Sequence, residues 1–170
     1  MYRVLLADDE QIERMALARR LMRRFGDSLQ ISEATDGKEA VELYQKEHSQ
    51  IIIMDISMPE LNGVEAAEKI RSMDEDCIIV FLTAYDEFSY AKKAITVRAL
   101  DYILKPWDEK ELMLVLEEAM RLAGEKEEQT RIRKVAEQAE AGQQIMEEEP
   151  DYANENLRIS KVTEMLKDYI

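Results

Sequence analysis

Short apolar runs alternate along the chain with longer stretches whose apolar residues recur every three or four positions, and the pair repeats five times before about Leu122. Short runs of this kind have strand length, and the longer spacing is the helical period, so the alternation predicts βαβ units built on a parallel sheet. The strand candidates are residues 3–7, 29–34, 51–55, 78–83 and 99–104. The third and fourth are almost wholly apolar, as central strands covered on both faces must be. The second is more polar and is expected at an edge.

Between the strands, Ile12, Met15, Ala16, Leu21 and Met22 give an apolar stripe at helical spacing, and Ala40, Val41, Leu43 and Tyr44 give another after the turn Asp36-Gly37. Pro59 and Gly63 mark a loop before a helix over residues 64–73. Asp86 is a candidate N-cap for the helix through Tyr90, Ala94 and Val97, and Asp108 for the last helix, after Lys105-Pro106-Trp107. Right-handed crossovers then place helices on both faces of the sheet.

Charge and length narrow the function. A chain of 170 residues holds one ordinary domain and an appendage. A formal net charge of −14 disfavours contact with phosphate backbones or anionic membrane surfaces. The single cysteine, Cys77, has no internal disulfide partner and opens an apolar run that reads as a buried strand. No signal-type segment follows Met1, and no apolar run approaches the roughly 20 residues that span a bilayer. A cytoplasmic location is expected.

Past Leu122 the pattern changes, because residues 124–131 contain no apolar side chain. We therefore expect one domain over residues 1–124 and a charged helical linker over 125–150. In the linker Ile132, Val135 and Ala139 recur at heptad spacing but Gly142 interrupts the seam, so a solvated helix is favoured over a weak coiled coil. Val162, Met165, Leu166 and Tyr169 start a further amphipathic helix in residues 151–170, with no later chain to cover its apolar face. The sequence is expected to continue into a longer protein.

In open parallel sheets, sites gather outside the carboxyl ends of the strands. Here those ends supply Asp8-Asp9, Asp55, Thr83 and Lys105. Three converging carboxylates repel one another unless a cation joins them, and an all-oxygen ligand set suits Mg²⁺, which also takes a phosphate oxygen. Lys105 adds a second positive charge and Thr83 a hydroxyl donor, which leaves a carboxylate as the covalent phosphoryl acceptor. Each piece alone has a plainer reading, as a helix cap, a loop-starting aspartate or Lys-Pro punctuation. Together they fill every role that phosphoryl transfer requires.

These residues resemble the receiver domain of bacterial two-component response regulators. The matching stretches are Val4-Leu5-Leu6-Ala7-Asp8-Asp9-Glu10, Ile53-Met54-Asp55-Ile56-Ser57-Met58-Pro59 with Asn62-Gly63, Phe81-Leu82-Thr83-Ala84, and Asp101-Tyr102-Ile103-Leu104-Lys105-Pro106. The resemblance implies a flavodoxin-like, doubly wound α/β fold with five parallel strands in the order 2-1-3-4-5 and five helices. It implies that Asp55 receives phosphate from a sensor histidine kinase. Asp9, Asp55 and the Ser57 backbone carbonyl would bind Mg²⁺, with Asp8 acting mainly through a metal-bound water. Lys105 and Thr83 would contact the phosphoryl group, and Tyr102 would be the aromatic switch that follows Thr83. The chain would then be no enzyme beyond Mg²⁺-dependent self-phosphorylation and slow self-dephosphorylation. Two departures stand out: Arg98 replaces the glycine that commonly ends the fourth helix, and Ser57 and Tyr85 occupy positions that tune hydrolysis of the acyl phosphate.

The run from Tyr85 to Ala91 and the segment Asp101-Tyr102-Ile103-Leu104-Lys105-Pro106 resemble regulators joined to an AraC-type DNA-binding domain, so DNA contact is expected only beyond Ile170. The oligomeric state is open: the helix 4, strand 5, helix 5 face, near Lys92, Ile95 and Tyr102, is a reasonable homodimer surface, and the linker could serve instead. One rival is a stand-alone receiver that docks on a protein partner. A phosphatase is disfavoured because Asp8 and Asp9 are adjacent rather than two residues apart. A flavodoxin-like cofactor binder lacks a phosphate loop after the first strand.

Overall fold

The computed structural model describes residues 1–84, 86–147 and 167. The chain divides into two compact units, Met1–Lys126 and Glu127–Ile170. The first carries five parallel strands, β1 (Tyr2–Ala7), β2 (Leu29–Ala34), β3 (Ile51–Met54), β4 (Ile78–Thr83) and β5 (Asp101–Leu104). Their order is β2-β1-β3-β4-β5, which puts the apolar β3 and β4 inside and the polar β2 at an edge. The helices are α1 (Gln11–Phe25), α2 (Gly37–Glu47), α3 (Gly63–Met73), α4 (Phe88–Thr96) and α5 (Glu109–Glu147). This is the doubly wound α/β arrangement expected from the pattern.

Because side chains alternate across a strand, the apolar runs feed two cores. Leu5, Ile52, Met54, Ile79 and Phe81 face α2, α3 and α4 through Tyr44, Val64, Ile70 and Ala94. Val4, Leu6, Ile53, Val80 and Leu82 face α1 and α5 through Leu17, Leu21, Leu112 and Leu116. Cys77 is buried just before β4 and is a free thiol.

Of the α1 stripe read from the sequence, Leu21 is buried but Ile12, Met15, Ala16 and Met22 are exposed. Ile12 is 85% exposed, and Met15 and Met22 are exposed too, while the buried face is Arg14, Leu17 and Leu21. The reason is that Arg14 turns inward to a polar anchorage, pairing with Glu33 at 2.8 Å and donating to the Asp8 carbonyl at 2.6 Å. That rotation carries Ile12 and Met15 outward.

Other local expectations shift by small amounts. Asp36, Asn62 and Asp108 accept from the backbone N–H three residues on, at 2.7, 2.9 and 3.0 Å, as N-caps do. Asp86 does not cap: α4 starts at Phe88 behind Glu87, which makes no side-chain cap bond. β5 starts at Asp101 instead of residue 99, because Arg98 takes φ +55° and the Ala99 N–H turns back to the Ala94 carbonyl at 2.9 Å. The helix exit thus uses residues assigned to the strand, with a non-glycine residue in the left-handed region. Tyr85 and the expected helix through Val162, Met165, Leu166 and Tyr169 lie outside the described residues.

Candidate functional site

Parallel strands deliver their carboxyl ends to one edge, and register decides which residues meet there. Ala7 pairs with Met54, so Asp8 and Asp55 leave β1 and β3 side by side, and the Asp55 N–H donates to the Ala7 carbonyl at 2.9 Å. Thr83 pairs with Leu104, so Lys105 follows one step beyond the end of β4 and its N–H bonds the Thr83 carbonyl at 2.8 Å. The Asp8 N–H bonds the Ala34 carbonyl at 3.1 Å, its carboxylate accepts from the Glu10 N–H at 2.9 Å, and Arg14 grips its carbonyl. Asp55 accepts from the Ser57 N–H at 3.2 Å. Behind it Gly63 packs so closely that a Cβ there would lie 2.0 Å from the Asp55 carbonyl oxygen.

Carboxylate oxygens of Asp8, Asp9 and Asp55 lie within 4.8 Å of one another. Asp55 is 6% exposed, so its charge is shielded from bulk water and needs nearby compensation. Lys105 Nζ supplies it, at 2.9 Å from Asp8 Oδ2 and 3.0 Å from Asp55 Oδ2. A third carboxylate, Glu13 Oε2, sits 2.5 Å from the same nitrogen. Burial would lower the Lys105 pKa, but the hydrogen bonds to Glu13, Asp8 and Asp55 outweigh it and raise it, which keeps the ammonium charged. Asp8 is shifted up, mainly by burial, against lowering by the Glu10 N–H and Lys105.

A cavity of about 480 Å³ opens over this cluster and is lined in part by Asp9, Asp55, Ser57, Ala84 and Lys105. Thr83 is fully buried at the end of β4, and its neighbour Ala84 reaches the lining. Tyr102 is half-buried, with its ring centroid 6.3 Å from that of Phe81, its partner across β4 and β5. The Lys105–Pro106 peptide is cis. The structure therefore brings Asp8, Asp9, Asp55, Ser57 and Lys105 to one pocket and sets Thr83 and Tyr102 on the strands behind it.

Sequence reading missed Glu10 and Glu13, which also line the cavity. The donor set fits a hard divalent cation: all ligand atoms are oxygen, and the carboxylates of Asp8, Asp9, Asp55 and Glu13 outnumber the one ammonium of the cluster.

The response regulator receiver domain model matches residues 4–117. An uncharacterized response regulatory protein of Staphylococcus epidermidis is 38% identical over 69% of this chain and 46% of its own length. The transcriptional regulatory protein HptR of Staphylococcus aureus is 37% identical over 76% of this chain and 50% of its own. The chain thus spans about half the length of these curated relatives. Among solved structures, the REC domain of AraT, a response regulator from Geobacillus stearothermophilus, is 32% identical with a TM-score of 0.62, covering 76% of this chain and 98% of that one. No described helix is long and apolar enough to cross a membrane. With the strand order, the acidic pocket and the family match in agreement, the chain belongs to the response regulator receiver domain family, the phosphorylation-dependent switches of two-component signalling.

Proposed function

We propose that Asp55 is the phosphoryl acceptor, that a sensor histidine kinase is the donor, and that Asp8, Asp9, Asp55 and the Ser57 carbonyl hold Mg²⁺. The observation that carries this reading is the Asp8, Asp9 and Asp55 cluster with Lys105 bridging two of its members. When bound, Mg²⁺ supplies charge neutralisation and a Lewis-acid contact to a phosphoryl oxygen.

The chain's own residues do the rest. Asp55 offers a carboxylate oxygen as nucleophile, its backbone fixed by β1 and by Gly63. Lys105 exchanges part of its carboxylate pairing for the incoming phosphoryl oxygens. Thr83 donates its hydroxyl as the new anion forms, and Tyr102 follows into the space that Thr83 leaves beside Phe81.

The signal then passes to an output region beyond Ile170. The similarity to HptR, a transcriptional regulatory protein, and the roughly half-length coverage support a transcription-regulating output, and the resemblance over residues 85–91 and 101–106 points to the AraC type. We place the protein in the cytoplasm, with domains at 1–124, 125–150 and 151–170. Homodimerisation through the α4, β5, α5 face is part of the reading, since Ile95 is 77% exposed there.

The test is intact-mass measurement after acetyl phosphate treatment, with and without Mg²⁺. The expected result is one phosphoryl adduct that requires Mg²⁺ and disappears in Asp55→Ala. An adduct that survives Asp55→Ala, or that forms equally in chelator, overturns the assignment.

A further inference from the structure

Lys105 Nζ has three N–H donors, and each meets a different carboxylate: Glu13 Oε2 at 2.5 Å, Asp8 Oδ2 at 2.9 Å and Asp55 Oδ2 at 3.0 Å. No donor is left for a phosphoryl oxygen. One partner must release the lysine before it engages a new anion.

The three partners are not equally held. Asp8 is fixed through its backbone and through the Glu10 N–H, and Asp55 through the Ala7 carbonyl and the Ser57 N–H. Glu13 stands on the first turn of α1 with its side chain 45% exposed, and Lys105 is the one hydrogen-bond partner of its carboxylate among the described residues. It is also the carboxylate of the three that lies outside the acidic trio.

We infer that Glu13 is a positioning residue that restrains phosphoryl transfer by occupying one donor of Lys105 and drawing the ammonium towards α1. This rests on the reading of Asp55 as acceptor. With acetyl phosphate, the P–O bond to the acetyl oxygen breaks as a P–O bond to an Asp55 carboxylate oxygen forms. The electron pair leaves on acetate, and nothing is oxidised or reduced. Lys105 must turn towards the phosphoryl oxygens during that step, and each turn begins by breaking the pair with Glu13. A half-exposed pair has roughly the strength of the better surface ion pairs, so its removal is worth about two- to fivefold in rate.

The test is a double-mutant cycle on the full chain. Rates of adduct formation from acetyl phosphate in Mg²⁺ are taken by intact mass for wild type, Glu13→Gln, Lys105→Ala and the double variant, with Asp55→Ala as control. Glu13→Gln is expected to accelerate labelling about two- to fivefold in the Lys105 background and to change nothing in the Lys105→Ala background. An unchanged or slower rate in Glu13→Gln overturns the inference. So does an equal acceleration without Lys105, because that would reflect general charge repulsion at the pocket. Labelling that persists in Asp55→Ala would instead sink the acceptor assignment itself.

Discussion

Replacing Gly63 with alanine tests how tightly the acceptor loop is built. The new methyl carbon would lie 2.0 Å from the Asp55 carbonyl oxygen and 2.8 Å from the Ile56 Cα. Ordinary carbon–oxygen contact begins near ~3.3 Å, so the backbone would have to open by more than about 1 Å. It resists, because the Gly63 N–H is bonded to the Ile56 carbonyl at 2.8 Å across the same gap. Overpacking of this kind costs about 1–3 kcal/mol and loss of the hydrogen bond about 1 more, offset by up to ~1 kcal/mol of helix propensity at the first position of α3. The net expectation is a loss of about 1–4 kcal/mol, or roughly 3–20 °C in Tm for a domain of this size. Urea unfolding and thermal melts followed by circular dichroism measure it, and acetyl phosphate labelling should slow as Asp55 is pushed. Gly142→Ala is the control: nothing lies within 4 Å of its Cβ position, and it sits within α5, so it should stabilise slightly. A Gly63→Ala protein that melts within about 2 °C of wild type would refute the close-approach argument.

Further outcomes follow from Cys77 and Arg71. Burial pushes the Cys77 thiol up to about 11, with Arg71 acting against it, so iodoacetamide should leave the native thiol unmodified at pH 8. Below the unfolded value near 9 both states keep the proton; between 9 and about 11 only the unfolded chain releases it, so wild type should lose on the order of 2 kcal/mol across that window. Cys77→Ala should lack this increment in urea titrations at pH 8.5 and 10.5, and equal losses in both proteins would count against it. Arg71 donates to the carbonyls of Val97 at 2.8 Å, Cys77 at 2.7 Å and Glu75 at 2.9 Å, so Arg71→Ala should cost about 2–4 kcal/mol by leaving shielded carbonyls unpaired. Arg71→Lys should recover little of that, since an ammonium lacks the planar fork; full recovery would mean that charge alone matters.

The strand-end residues were legible because parallel pairing needs no side-chain detail to bring Asp8, Asp55 and Lys105 to one edge. Once the apolar runs identify the strands, the residue after each run is placed within a position or two. The inner and edge strands were legible for the same reason, since β3 and β4 have no polar face to give to water. Helix orientation was not. Ile12, Met15 and Met22 form as good a stripe as Leu17 and Leu21, and the choice was made by Arg14, whose partners lie on β2 and after β1. Glu13 was hidden because an exposed acid on a first helical turn ordinarily serves the helix dipole. Arg71 was hidden more completely, because its acceptors are backbone carbonyls, which every residue has.

Lys105 comes 97 positions after Asp8 and 50 after Asp55, and that separation has a consequence for how the molecule is made. A ribosome adding about 5–20 residues per second spends roughly 5–20 s between the first aspartate and the lysine. Asp55 is made about halfway through that interval, so for roughly 3–10 s the aspartates that follow β1 and β3 are both present without their ammonium. A nascent chain can pair its inner strands, but it holds a cluster of mutually repelling carboxylates that favours an open edge. Docking of β5 relieves that repulsion at the same moment that it completes the sheet. The last strand is thus drawn in by charge as well as by apolar contact, and Lys105 reaches Asp8 and Asp55 only once β5 has docked.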